Sequence, residues 1–204
     1  MRNAETGNEP VGALLVRGVN SAVVQPGVRG VSRQHGEMRF VYLLRHAKSS
    51  WKSGVPDHER PLAGRGRRAA KAISRHVREQ AVEPGLVLCS TARRARETLE
   101  RIEPALGSPA VRIERSLYGA SSDVLLDRLR AVPDEVDSVM LIGHNPGLQE
   151  LALNLARPAA NVQELRAKYP TAALVMLAVT APSWHLIEPG TAEVVGFVRP
   201  RDLE

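Results

Sequence analysis

The sequence predicts an α/β fold, a three-layer α/β/α domain with a mostly parallel central sheet. From Arg39 onward, apolar runs of strand length alternate with longer segments that carry a helical stripe of apolar residues. The short runs are rich in leucine and β-branched residues, which is typical of strands covered on both faces. A hydrophobic content of 43% and a charged content of 25% indicate a folded globular chain and exclude general disorder and fibrous classes.

Five apolar runs are predicted to be strands, and four amphipathic segments are predicted to be helices. The strands cover residues 40–44, 86–89, 111–113, 138–142 and 172–179. The helices carry their stripes on Ala69, Ala72, Ile73 and Val77; on Ala95, Leu99, Ile102 and Leu106; on Leu125, Leu129 and Val132; and on Leu148, Leu151, Ala152 and Leu155. Ser121 or Ser122 is the expected N-cap of the third helix. Residues 184–187 and 192–198 are predicted to form a terminal hairpin or an edge strand.

The first 37 residues follow no such pattern. Their apolar patches are interrupted by Arg17, Asn20 and Pro26, so they resemble neither a signal peptide nor a regular element. We expect residues 1–37 to be a disordered extension and residues 38–204 to be the folded domain. A start codon placed too far upstream and a short docking arm are the alternatives for this segment.

Charge, cysteine content and hydropathy restrict the partners and the compartment. Lysine and arginine total 28 against 22 acids, a net charge of +6 that suits either a polyanion or arginines gathered around one phosphate-sized ligand. No apolar run approaches the roughly 18 residues of a membrane span. The single cysteine, Cys89, cannot form an intramolecular disulfide. We therefore expect a cytoplasmic protein without a membrane partner.

Polar side chains follow three of the predicted strands, where an open α/β sheet binds its ligand. Arg45, His46, Ala47 and Lys48 follow the first strand, residues 90–95 follow the second, and residues 143–147 follow the fourth. Guanidinium groups match phosphoryl oxygens, and a neutral imidazole can attack phosphorus and later leave. Asn145 as an N-cap, with Pro146 in the first helical turn, would add backbone donors for an anion. The three loops together predict a phosphoryl site.

These motifs resemble those of the histidine phosphatase superfamily, and within it the SixA-like phosphohistidine phosphatases. The first box is Arg-His-Ala-Lys-Ser-Ser-Trp at 45–51, with alanine where the superfamily shows glycine; the second is Ser-x-x-x-Arg-Ala-x-x-Thr at 90–98; the third is Gly-His-Asn-Pro at 143–146. Residues 57–62, 169–173 and 197–203 also look like this branch. The resemblance covers residues 38–204 and implies a phosphoglycerate mutase-like sheet.

The resemblance also implies the roles of individual residues. His46 would be the catalytic nucleophile, with Arg45, Arg94 and His144 as further catalytic residues; Arg60, Arg45 and Arg94 would bind the phosphoryl group of the substrate. The implied reaction is hydrolysis through a phosphohistidine intermediate, with no metal and no cofactor. The implied partner is a phosphorylated substrate, with phosphohistidine in a phosphorelay protein as the first choice.

The proton donor stays open at the sequence level. The mutase branch has a glutamate before a Tyr-Gly pair, and here Glu114 lies about one residue out of register. Asp57, His58 and Glu59 are substitutes by proximity. Lys48 either adds positive potential near the site or faces solvent, and Trp51 either lines the mouth or holds the loop in place.

Three other functions compete with this interpretation. A small-metabolite phosphatase acting on sugar or nucleotide phosphates is the first alternative, because a fold does not fix its substrate. A basic nucleic-acid-binding protein would explain the charge, but an aromatic content of 3% offers few stacking residues. A metallophosphoesterase would need an Asp-x-His pair or a dense carboxylate set, and neither is present in the sequence.

Overall fold

The computed structural model describes residues 38–52, 54–159 and 161–203, so the predicted extension 1–37 lies outside the described residues. The strands are β1 (Met38–Arg45), β2 (Leu86–Ser90), β3 (Ala110–Glu114), β4 (Ser138–Gly143), β5 (Leu174–Thr180) and β6 (Ala192–Val198). The helices are α1 (Gly64–Glu79), α2 (Arg93–Ile102), α3 (Ser122–Arg130), α4 (Gly147–Leu155) and α5 (Asn161–Ala167). Short 3-10 turns occupy Asp57–Glu59, Glu103–Ala105, Arg115–Leu117, Trp184–Leu186 and Pro200–Leu203.

The strands form one mixed sheet in the order β3-β2-β4-β1-β5-β6. The pairings among β3, β2, β4 and β1 are parallel, whereas β5 and β6 are each antiparallel to the preceding strand in this order. The mostly parallel sheet predicted from the sequence is confirmed. Because β1, β2 and β4 run in the same direction, the residues that follow them meet at one edge of the sheet.

The central strands are covered on both faces, and successive residues of β1 and β4 contribute to opposite layers. In β1, Val41 and Leu43 belong to a cluster with α3, α4 and α5, whereas Leu44 belongs to a cluster with α1 and α2. In β4, Leu141 lies in the first cluster and Ile142 in the second. This alternation is the period of two that strand geometry requires. Burial of each such side chain contributes about 1.5 to 3 kcal/mol, which fixes the strand register and therefore the site.

Two details differ from the predicted elements. Residues 184–187 form no strand: Trp184 lies buried in a 3-10 turn, and its indole Nε1 donates to the Val136 carbonyl at 2.6 Å. Among the strands, the edge strand β6 pairs with β5, and its Ala192 also forms an isolated parallel bridge with Ala156. The short helix α5 has no counterpart among the predicted elements. Among the helices of the described part of the chain, none has the length and apolarity needed to cross a bilayer.

Candidate active site

The strand register places the two predicted histidines side by side. Arg45 of β1 pairs with Gly143 of β4, and the amide of His46 donates to the Gly143 carbonyl at 3.0 Å. The His46 and His144 rings therefore follow two adjacent parallel strands, with centroids 5.0 Å apart. A pocket of about 270 Å³ forms here and is lined by Arg45, His46, Lys48, Ser49, Trp51, Asp57, Arg60, Arg94, Tyr118, Gly119, His144, Asn145 and Thr171. All five predicted site residues line it.

His46 is held in the tautomer that a nucleophile needs. Its Nδ1 lies 2.8 Å from the Ala47 carbonyl oxygen, which can only accept, so Nδ1 carries the proton. Its Nε2 accepts from Arg94 Nε at 3.2 Å and therefore presents a lone pair. Burial lowers the pKa of His46 to about 3, although the hydrogen bond to Ala47 acts in the opposite direction. The imidazole is therefore neutral at physiological pH.

His144 is also buried and neutral. Its Nε2 lies 2.8 Å from Ser90 Oγ, and its Nδ1 lies 3.5 Å from Arg94 Nη2. Because a guanidinium only donates, this contact favours a bare Nδ1 and an Nε2 that donates to Ser90. Burial, followed by the charge of Arg94, lowers the pKa of His144 to about 4. Ser90, the last residue of β2, thus positions the ring of a residue that follows β4.

A single carboxylate bridges two of the predicted phosphate-binding arginines. Asp57 Oδ2 lies 2.9 Å from Arg94 Nη2, and Asp57 Oδ1 lies 2.9 Å from Arg60 Nη2. The Tyr118 hydroxyl donates to Asp57 Oδ2 at 2.7 Å. The hydrogen bond from Tyr118, followed by those from Arg94, lowers the pKa of Asp57, and the same bond raises the pKa of Tyr118. The ionised carboxylate of Asp57 is therefore held by two arginines that the resemblance to the family implies as phosphate ligands.

Several guanidinium donors at the pocket meet no acceptor among the described residues. Arg45 Nη1 donates to the Tyr169 carbonyl at 2.7 Å, but its buried Nε has no such partner. The buried Nε and Nη1 atoms of Arg60 also have no hydrogen-bond partner among the described residues. Burying a charged donor without an acceptor is costly, and the oxygens of a tetrahedral anion would remove that cost. The exposed ring of Trp51 covers Arg60, with the guanidinium carbon 3.5 Å from its centroid.

Comparisons with known proteins agree with this geometry. A profile of the histidine phosphatase superfamily (branch 1) matches residues 41–119. The Mycobacterium tuberculosis protein Rv1276c is 40% identical over 162 residues, covering 78% of this chain and 100% of that protein. A candidate phosphohistidine phosphatase SixA from Nakamurella multipartitia is 30% identical, with a TM-score of 0.73, over 82% of this chain and 99% of that one. This chain belongs to the histidine phosphatase superfamily. A second candidate SixA phosphatase, from Agrobacterium tumefaciens, is also 30% identical, with a TM-score of 0.67, over 79% of this chain and 98% of that one.

Other expectations for this histidine phosphatase need correction. Asn145 does not cap α4: Pro146 is the N-cap residue, and Asn145 Oδ1 accepts no hydrogen bond from the described residues. Its Nδ2 donates to Gln149 Oε1 at 3.0 Å and to the Tyr169 carbonyl at 3.3 Å. Glu114 does not reach the pocket, since both its oxygens accept from Arg128 at 2.8 Å. Of the three substitutes in the loop, only Asp57 lines the pocket.

Two residues that support the loops of the candidate site were not predicted from the sequence. Thr98 Oγ1 accepts from the Ala47 amide at 3.0 Å and donates to the Arg94 carbonyl at 2.6 Å, which ties the His46 loop to α2. Tyr118 also lines the pocket: its hydroxyl donates to Asp57, and its ring lies edge-on to His144, with centroids 5.4 Å apart. Within the part of the chain that the structure describes, no three His, Cys, Asp or Glu side chains form a group suited to a metal ion.

Proposed function

We propose that this histidine phosphatase hydrolyses phosphohistidine on a protein substrate, through a phosphohistidine formed on its own His46 and without a metal ion. The observation that carries the proposal is the state of His46. Its Nδ1 proton is fixed by the Ala47 carbonyl, and its neutral Nε2 lies against Arg94 inside an arginine-lined pocket. The SixA names of the two 30% identical relatives support the choice of substrate.

In the first step, His46 Nε2 attacks the phosphorus in line with the leaving nitrogen. The Nε2–P bond forms, and the bond between phosphorus and the substrate imidazole breaks, so its electron pair stays with the departing ring. A substrate ring protonated on its other nitrogen leaves as neutral imidazole. The phosphorylated His46 ring gains positive charge, which the hydrogen bond from Nδ1 to the Ala47 carbonyl stabilises.

In the second step, water attacks the phosphorus, and the Nε2–P bond breaks to regenerate His46. Arg45, Arg60 and Arg94 hold the equatorial oxygens in both steps, because phosphoryl transfer depends on positioning and charge neutralisation. His144 joins them once Arg94 turns to the phosphoryl group: its Nδ1 then carries the proton and donates, while its Nε2 accepts from the Ser90 hydroxyl. When the phosphoryl group takes the Arg60 and Arg94 donors, the carboxylate of Asp57 is released from them beside the reacting atoms. Asp57 then accepts the proton of the attacking water.

The positions of the carboxylates favour an imidazole leaving group. An alkoxide needs a proton in the transition state, and a positioned acid accelerates its departure by about 10² to 10⁴. Glu114 is engaged by Arg128, and the pKa of Asp57 is lowered, so neither supplies that proton well in the free enzyme. We therefore expect phosphohistidine and aryl phosphates to be turned over better than sugar monophosphates.

Labelling of His46, activity after chelation and a comparison of kcat/KM values test the proposal. Brief incubation with a ³²P-labelled phosphohistidine peptide, quenched in alkali, is expected to leave acid-labile phosphate on wild-type protein and on His185→Gln, but none on His46→Ala. Activity is expected to survive exhaustive chelation. An alanine variant that keeps more than about a tenth of the activity would remove His46 as nucleophile. Restoration of activity only by zinc or manganese, or a kcat/KM for a sugar monophosphate equal to that for the peptide, would move the protein to another phosphatase class.

A further inference from the structure

A second cavity of about 240 Å³ adjoins the catalytic pocket. It is lined by Lys48, Arg65, Ala69, Lys168, Pro170, Thr171, Arg199, Pro200 and Arg201. Lys48 and Thr171 line both cavities, so the two are contiguous. We call this second cavity the basic annex.

The basic annex has a surplus of positive charge that its surroundings do not neutralise. Arg199 is paired with Glu164 at 3.0 Å and with Asp202 at 2.8 Å, and Arg201 lies 3.7 Å from Asp202. Lys48, Arg65 and Lys168 are exposed and have no ion pair or hydrogen-bonded partner for their side chains among the described residues. Together they give the cavity a positive potential that attracts an anion.

A stabilising role within α1 does not account for Arg65. It is the second residue of the helix, whose first turn contains no acidic residue. The positive end of the helix dipole disfavours a cation at this position. Arg65 therefore gains no stabilisation from the helix dipole, and it concentrates positive charge at the annex together with the N-terminal end of α1.

The backbone holds the annex at a fixed position relative to His46. The Lys48 carbonyl accepts from the Ala63 amide at 2.9 Å, just before α1, so the Lys48 backbone is held against that helix. Lys168 precedes the buried Tyr169, whose carbonyl accepts from Arg45 Nη1 at 2.7 Å. Both lysines thus extend from backbone that is bonded to the catalytic loops or to the helix beside them.

We propose that the basic annex binds a second anionic group of the same substrate molecule while its phosphoryl group lies against His46. This inference rests on the proposed function and specifies the substrate further: it carries a carboxylate or phosphate close to the phosphoryl group. The side chain of Lys48 contacts both anions from the shared wall. A polypeptide supplies such a group as an acidic residue near the phosphohistidine, and a small metabolite supplies it as a second phosphate.

The test compares matched substrates on the full chain. The variants are Arg65→Gln, Lys168→Gln and the double variant, with Arg68→Gln as a control that removes the same charge from an exposed position of α1 outside the annex. Lys48 is left intact because it also lines the catalytic pocket. One substrate pair is a phosphohistidine peptide with acidic or with amide neighbours, and the other is a sugar bisphosphate with its monophosphate. p-Nitrophenyl phosphate, which has no second anion, reports basal activity.

We expect the kcat/KM of wild-type protein to be higher for the doubly anionic member of one pair. In the double variant the ratio of the two kcat/KM values is expected to fall about tenfold, because KM for the doubly anionic member rises. In Arg68→Gln this ratio is expected to change less than about twofold, because screened charges outside the cavity act weakly. The turnover of p-nitrophenyl phosphate is expected to change less than about twofold in all variants. Preference within the peptide pair identifies a polypeptide source, and preference within the sugar pair identifies a metabolite.

Two results would contradict the proposed role of the basic annex. One is that wild-type protein shows no preference in either substrate pair, and the other is that Arg68→Gln loses as much of the preference as the double variant. Failure of the proposed function is distinguishable, because it appears as absent labelling of His46 and absent peptide turnover, whereas the sugar pair and p-nitrophenyl phosphate still report on the annex.

Discussion

The two buried histidines make the stability of the protein depend on pH in a specific way. In the folded state burial lowers the pKa of His46 to about 3 and that of His144 to about 4, from an ordinary value of 6.5. Below pH 6.5 the unfolded chain therefore binds protons on these rings that the folded state does not. Their contribution to stability is fully present above pH 6.5 and is lost as the pH falls from 6.5 towards the folded values.

The loss of unfolding free energy grows with the difference between the ordinary histidine pKa of 6.5 and the pH. Near pH 5 the unfolded rings are protonated and the folded rings are not, so each histidine costs about 2 kcal/mol relative to about pH 7.5. Both rings are buried, at 8% residual exposure each, so this cost is little reduced by solvent. The carboxylate of Asp57 adds nothing over this range, because its lowered pKa lies below it.

Urea unfolding near pH 7.5 and near pH 5, in a buffer free of phosphate, measures this loss. We expect His46→Gln and His144→Gln each to lose about 2 kcal/mol less than wild-type protein between the two conditions. His185→Gln replaces an exposed histidine outside the site and is expected to lose as much as wild-type protein. An equal loss in all four proteins would mean that the rings are protonated in the folded state, and His46 could not then be a neutral nucleophile.

Three further changes test other parts of the structure. Asp57→Asn removes the carboxylate held between Arg60 and Arg94, so inorganic phosphate should inhibit about tenfold more tightly. The kcat should fall by about 10², because the proton acceptor for water is lost. Unchanged inhibition by phosphate would contradict competition between phosphate and the Asp57 carboxylate. Gly147→Ala places a Cβ against the Ala120 carbonyl oxygen and should destabilise the protein by about 1 to 3 kcal/mol in urea unfolding; an unchanged midpoint would show that the backbone gives way. Removal of residues 1–37 should leave the unfolding midpoint and kcat/KM unchanged, because the described sheet begins at Met38; a markedly lower midpoint would indicate an arm that packs on the domain.

The sequence predicted the sheet edge because parallel strands impose it. Once the runs ending at Arg45, Ser90 and Gly143 are identified as parallel strands, the residues after them must converge, whatever the loops do. The alternation of Val41, Leu43 and Leu44 between two faces follows from the same period of two. Short elements contain too few residues for a hydrophobic period to be recognised. The helix α5 has seven residues, about two turns, and was not predicted.

Side-chain partners that depend on loop conformation could not be predicted. Arg39 appears in the sequence as a charged residue at the start of a strand, yet it is buried and paired with Asp134 at 3.0 Å. Glu114 matched an acid motif to within one residue, and only the structure shows that Arg128 engages it. Asp57 was one of three candidates by proximity, and the hydroxyl of Tyr118, 61 positions further along the chain, distinguishes it.

The charge of the pocket favours one class of anion over others. Arg45, Arg60, Arg94 and Lys48 bring positive charge to the pocket, the two histidines are neutral, and Asp57 is the one carboxylate among the described residues that line it. The pocket therefore has about three positive charges more than it has negative ones. A carboxylate ligand would leave about two of these unmatched, whereas a phosphoryl dianion leaves about one and offers enough oxygens for the buried donors of Arg45 and Arg60. Part of the excess of basic residues in the sequence is thus concentrated at this edge of the sheet, where it favours a phosphoryl group over a carboxylate.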